Sequence, residues 1–102
     1  MNTSRVQRAA MARTMNAEEY LNVVVKALSM EFDTKVLVEN ISKNEILIVM
    51  NNYEVLTSME YINGLSKPYG IDKFILQSFE KQGFNFDINK SQYIQCCFGV
   101  FN

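Results

Sequence analysis

A chain of 102 residues has room for one hydrophobic core. With 48% apolar and 21% charged residues, one Pro and four Gly, it is neither disordered, collagen-like nor low-complexity. The lack of histidine excludes Ser-His-Asp and Cys-His nucleophile systems, imidazole general bases and every zinc site that needs a His. Net charge is −1 but unevenly spread. Arg5, Arg8 and Arg13 all precede the first acidic residue, Glu18, leaving seven lysines against eleven Asp and Glu downstream.

Residues 1–15 therefore read as a basic N-terminal arm or helix extension, and residues 16–102 as a single domain. Such asymmetry suggests an arm that meets something acidic: nucleic acid, anionic lipid, an acidic protein surface or the body of a second copy. The arm also has the Arg, Ser and Ala content of a mitochondrial presequence. A cytoplasmic location is nevertheless expected. Apolar runs such as Ile46 to Met50 fall far short of the roughly 18 residues a membrane span requires.

Ala9, Ala10, Met11, Ala12 and Met15 are good helix formers, so a long N-terminal helix is expected to run through the arginines and set all three on one basic face. Asn16-Ala17-Glu18-Glu19 has the form of an N-cap with a capping-box glutamate. Leu21, Val24, Val25, Leu28 and Phe32 follow helical spacing after it. Thr34 to Ser42 and Glu45 to Asn51 predict an antiparallel hairpin turning at Lys43-Asn44. The stretch from Asn51 to Gly70 fits both periods. Tyr53, Val55, Thr57, Met59 and Tyr61 alternate, yet Glu54 to Asn63 lacks Pro and Gly and is read as helix, ending at Gly64.

A loop from Ser66 to Gly70 then leads to Asp72, expected to cap a helix whose inner stripe is Phe74, Ile75, Ser78 and Phe79. Phe84, Phe86 and Ile88 alternate with Asn85, Asp87 and Asn89 and predict a half-buried strand. A turn at Asn89-Lys90-Ser91 and a last strand with Ile94, Cys96, Phe98 and Val100 on one face follow. The order reads α-β-β-α-α-β-β: an α+β fold with a four-stranded antiparallel sheet of two hairpins, the long N-terminal helix and one or two further helices.

Few residues invite chemistry. Adjacent Cys96 and Cys97 point to opposite faces of a strand, where a disulfide between them is strained, and two thiols without His do not complete a structural zinc site. The glycines at 64, 70, 83 and 99 match neither a dinucleotide-binding turn nor a Walker A loop. Glu18 and Glu19 read as helix-dipole partners, and Asp33, Asp72 and Asp87 as turn and cap residues. No catalytic residue, cofactor or metal ligand is assigned. Tyr53, Tyr61 and Tyr69 recur every eight residues as candidate interface aromatics.

The sheet carries the main functional expectation. Val36, Val38, Ile46, Ile48, Met50, Phe84, Phe86, Ile94, Phe98 and Val100 make one face that the helices can bury, while Leu37, Ile41, Leu47, Val49, Tyr93 and Phe101 make the opposite face too apolar for solvent alone. Either the first helix covers that face or another protein does. The expected function is a non-enzymatic protein-binding module, or a small assembly or inhibitory subunit, with Arg5, Arg8, Arg13, Leu47, Val49, Tyr93 and Phe101 meeting another protein or a second copy. Small size and eleven asparagines fit a small inhibitor or virion protein of a phage or other AT-rich mobile element. A nucleic-acid-associated factor holding phosphate through Arg5, Arg8 and Arg13 is the alternative, and a carboxylate- or thiol-dependent enzyme using Cys97 the third.

Overall fold

A computed structural model describes the backbone of residues 3–99 and the side chains from Arg5 onward. In chain order the elements are α1 (Thr3–Thr14), α2 (Ala17–Phe32), β1 (Val36–Asn40), β2 (Glu45–Met50), β3 (Tyr53–Ser58), α3 (Met59–Gly64), α4 (Gly70–Glu80) and α5 (Gln92–Cys97). The strands form one antiparallel meander, β1-β2-β3, with Val36 opposite Met50 and Met50 opposite Tyr53.

The helices pack on one face of this sheet. Ile46, Ile48 and Met50 alternate inward along β2 and meet Tyr20, Leu21, Val24 and Leu28 of α2, Ile62 of α3, Ile71, Ile75, Leu76 and Phe79 of α4, and Ile94 of α5. Each such side chain, fully buried, contributes about 1.5–3 kcal/mol. The shortest dimension of the molecule is 19 Å, which accommodates one sheet and one layer of helices about 10 Å wide but not a second helical layer. The first helix does not cover the other face of the sheet.

The N-terminal helix is two helices. Asn16 stops α1 and caps α2 through the expected capping box: its side-chain oxygen accepts from the Glu19 N–H at 2.8 Å, and the Glu19 carboxylate accepts from the Asn16 N–H at 3.4 Å. The Asn16 backbone is extended rather than helical, so one continuous helix through the arginines does not form. Ser66 Oγ donates to the Ala12 carbonyl at 3.2 Å and ties α1 to the loop before α4.

The four-stranded sheet of two hairpins does not form either. Residues 54–58, the first part of the stretch expected to be helical, belong to the third strand. Asn51 adopts φ 54° in the preceding turn, a conformation asparagine tolerates, and the β-branched Val55 and Thr57 suit the strand. Helix starts only at Ser58, whose Oγ accepts from the Tyr61 N–H at 3.0 Å.

Residues 84–91 are not a strand, and the Glu54 position of the neighbouring β3 edge is taken by a side chain. The Gln82 side-chain amide pairs with the Glu54 backbone, Nε2 donating to the carbonyl at 2.6 Å and Oε1 accepting from the N–H at 3.1 Å. Phe84 and Phe86 alternate inward as anchors of an irregular segment instead. Phe84 packs edge-on against Phe32 at 5.0 Å and Phe86 stacks on Phe98 at 5.5 Å. Lys90 pins the segment to the end of α2, its Nζ 2.8 Å from the Glu31 carboxylate.

The last element is a helix, capped by Ser91 Oγ accepting from the Ile94 N–H at 3.2 Å. From Tyr93 to Phe98 nearly every residue is apolar, so alternation and helical spacing both fit and the cap decides.

Candidate functional site

Asp72 is not a cap. It lies in the first turn of α4, which begins one residue after Tyr69, and its side chain is fully buried. Arg8 reaches it from α1 in a two-point ion pair, Nη1 to Oδ1 at 2.8 Å and Nη2 to Oδ2 at 2.7 Å. Tyr93 Oη of α5 donates to Asp72 Oδ2 at 2.5 Å. The guanidinium lies 4.8 Å from the centre of the Tyr69 ring and 5.5 Å from that of Tyr20, within cation–π range of both. Tyr20 Oη accepts from Arg8 Nη1 at 3.4 Å and donates to the Lys67 carbonyl at 2.9 Å.

The backbone is shaped to this arrangement. Tyr69 sits at φ 65°, a left-handed conformation rare for a bulky residue. Gly70 follows because a Cβ there would lie 2.6 Å from the Leu65 carbonyl oxygen. A pocket of about 190 Å³ beside the pair is lined by Gln7, Arg8, Met11, Ala27, Tyr69 and Tyr93. It is smaller than the roughly 300 Å³ at which ligand sites begin.

The electrostatics favour a static network. Desolvation opposes the Arg8 charge, but the hydrogen bonds and Coulomb attraction of Asp72 outweigh it and its pKa rises above the ordinary arginine value. Burial and the Asp72 carboxylate push the Tyr93 hydroxyl well up, and the same two causes raise the Cys97 thiol. Burial pushes Tyr69 up to about 12. A thiol kept protonated is a poor nucleophile. Among the described residues, no buried side-chain polar atom lacks a hydrogen-bond partner, and no three Cys, Asp or Glu residues are grouped to hold a metal ion.

Among the described residues, no helix covers the other face of the sheet. Leu37 pairs with Val49, which pairs with Glu54; one row along, Glu39 pairs with Leu47, which pairs with Leu56. Beyond them Ile41 donates its N–H to the Glu45 carbonyl at 3.0 Å, and Glu45 pairs with Ser58. Leu37, Val49, Leu47 and Leu56 thus make one aliphatic band running diagonally over three strands. Leu56 is 57% exposed and Leu37 47%, with Leu47 and Val49 half-buried between them, against 0% for Ile48 on the inner face.

The structure brings together some of the expected residues and separates others. Leu47 and Val49 lie on the bare face. Tyr93 lies across the molecule from it, on Asp72, and Phe101 falls outside the described residues. The arginines share no basic face: Arg5 and Arg13 are exposed, Arg8 is buried. Tyr53 turns inward to Phe79 and Phe84, Tyr69 covers Arg8, and Tyr61, 53% exposed, leans on Phe74 at 5.1 Å.

Sequence reasoning missed Asp72 and Tyr20 as partners of Arg8. The available signal was a carboxylate three and four residues before Ile75 and Leu76, on the apolar stripe of α4, where a charge demands a buried partner. No protein-family model, curated protein or solved structure matches this chain.

Proposed function

We propose that the chain is a non-enzymatic protein-binding module, a small assembly or inhibitory subunit that works through the bare face of its sheet. The observation that carries this reading is the continuous band of Leu37, Val49, Leu47 and Leu56 on a sheet whose helices all lie on the other side. Water-exposed aliphatic surface of this kind is a cost to an isolated chain that a partner removes. The buried cluster argues against chemistry, since Arg8, Asp72 and Tyr93 satisfy one another and Cys97 is held as a thiol.

The basic arm takes a smaller part. With Arg8 buried in the fold, the three arginines do not act as one set, which weakens the reading of three arginines on phosphate. Among the described residues no helix is long and apolar enough to cross a membrane.

The test is capture from a lysate of the source cells, treated with nuclease, on wild type, L56D and R5A/R13A. Leu56 is exposed enough for L56D to fold. A stoichiometric protein retained by wild type and lost on L56D is the expected result. Equal retention by L56D would sink the reading, and loss on nuclease treatment together with R5A/R13A would move the function to the arginines.

A further inference from the structure

The charges around the bare face narrow its partner. The aliphatic band has Glu54 on one side, next to Val49 and beyond Leu37, where the exposed Lys35 two residues before Leu37 offsets part of the charge. On the other side lie Glu39, next to Leu47 and across from Leu56, and Glu45 one row farther. From Leu37 to Leu56 the band crosses two strand spacings and two residues of rise, about 12 Å, close to two turns of α-helix. Its width is that of one row of leucines. We infer that this face docks an amphipathic helix of a partner protein whose aliphatic stripe is flanked on both sides by lysine or arginine, an inference that rests on the sheet face being the working surface.

The other occupants fit the same charges less well. Two copies stacked face to face would crowd the glutamates of both around one dry band, where like charges repel and each carboxylate loses water. Nucleic acid and anionic lipid are themselves negative and meet the same repulsion. A strand added at the β3 edge would have to displace Gln82 from the Glu54 backbone and would leave the band uncovered. A helix laid along the band covers the four aliphatic side chains while its basic flanks reach Glu54 on one side and Glu39 and Glu45 on the other.

The test uses the full chain and two synthetic helices that share one leucine stripe, one flanked by lysines and the other by glutamates. Anisotropy titrations and backbone amide shifts are recorded for wild type and for E39K/E54K. The lysine-flanked helix is expected to bind wild type about tenfold tighter, the preference a few partly exposed charge pairs supply. Amide shifts should centre on Leu37, Leu47, Val49 and Leu56, the preference should fade with added salt, and E39K/E54K should reverse it.

Equal binding of the two helices, no reversal, or shifts confined to the sheet edges would overturn the inference. The native partner separates this failure from failure of the wider reading. A captured protein lost on L56D but retained by E39K/E54K overturns the basic helix and leaves the sheet face standing, whereas one retained by L56D overturns both.

Discussion

Arg8 and Asp72 hold α1 to the body by a pair whose two charges have almost no contact with water. Such a pair is costly to break from one side and easy to replace as a whole. Removing the guanidinium with R8M is expected to cost about 3–5 kcal/mol, because Asp72 stays buried without its counter-ion. R8M/D72L/Y93F, which removes both charges and the hydroxyl that needs Asp72, should recover most of that loss. Urea unfolding of the three chains checks it, and a triple variant as unstable as R8M would show that the ion pair itself stabilises the fold.

The same cluster sets the alkaline limit. Cys97, Tyr93 and Tyr69 all have folded pKa values raised above their ordinary values of 9.0 for the thiol and 10.0 for the phenols. In the unfolded chain they ionise at those ordinary values, so above them the folded state binds more protons and stability falls with rising pH. The contribution is fully present below pH 9.0, and its loss begins with Cys97 and continues as the tyrosines of the unfolded chain titrate at 10.0. Urea midpoints measured against pH should decline over that range, and more gently in Y93F. A flat profile, or one unchanged by Y93F, would contradict the buried placement of these groups. Little of this was legible in the sequence, because Arg8 reads as one of three exposed arginines until the break at Asn16 turns α1 back towards α4.

At the scale of elements, the sequence was legible where a side chain caps or turns the chain. The capping box at Asn16 and Glu19 and the hairpin through Lys43-Asn44 need only local chemistry and form as expected. N16A should destabilise the chain by about 1 kcal/mol, read as a lower urea midpoint. Segments where both periods fit were not legible. Residues 54–58 and 92–97 lack Pro and Gly and carry apolar residues at spacings that suit either structure, so the outcome rests on the Asn51 turn and the Ser91 cap. Phe84 and Phe86 alternate like a strand while serving as anchors against Phe32 and Phe98, and Gln82 takes the Glu54 position of the β3 edge beside them.

The sheet gives the sharpest contrast between elements. Ile48 and Leu56 lie on adjacent strands and opposite faces, one fully buried and the other 57% exposed. I48A should therefore cost about 2–5 kcal/mol and L56A less than about 0.5 kcal/mol by thermal or urea unfolding. A large loss for L56A would mean that its face is packed against something.

For the whole molecule, the sequence showed that the chain has more apolar strand residues than one layer of helices buries, and left open what covers the surplus. The structure places α2 and α4 on the same side, so the surplus remains as the aliphatic band bordered by Glu39, Glu45 and Glu54. Repulsion between those borders should keep the free chain from stacking on itself. E39Q/E54Q should raise self-association in sedimentation equilibrium, and an unchanged monomer fraction would show that the glutamates do not guard the face.

A working sheet face must be open to water in the free chain. The most direct measurement is the relaxation that a soluble paramagnetic probe induces in the methyl groups of the leucines, isoleucines and valines. Methyls of Leu37, Leu47, Val49 and Leu56 are expected to relax strongly while those of Ile46, Ile48 and Ile75 stay shielded. Shielding of Leu47 and Val49 to the level of Ile48 would contradict an open sheet face, because the face would then already be covered.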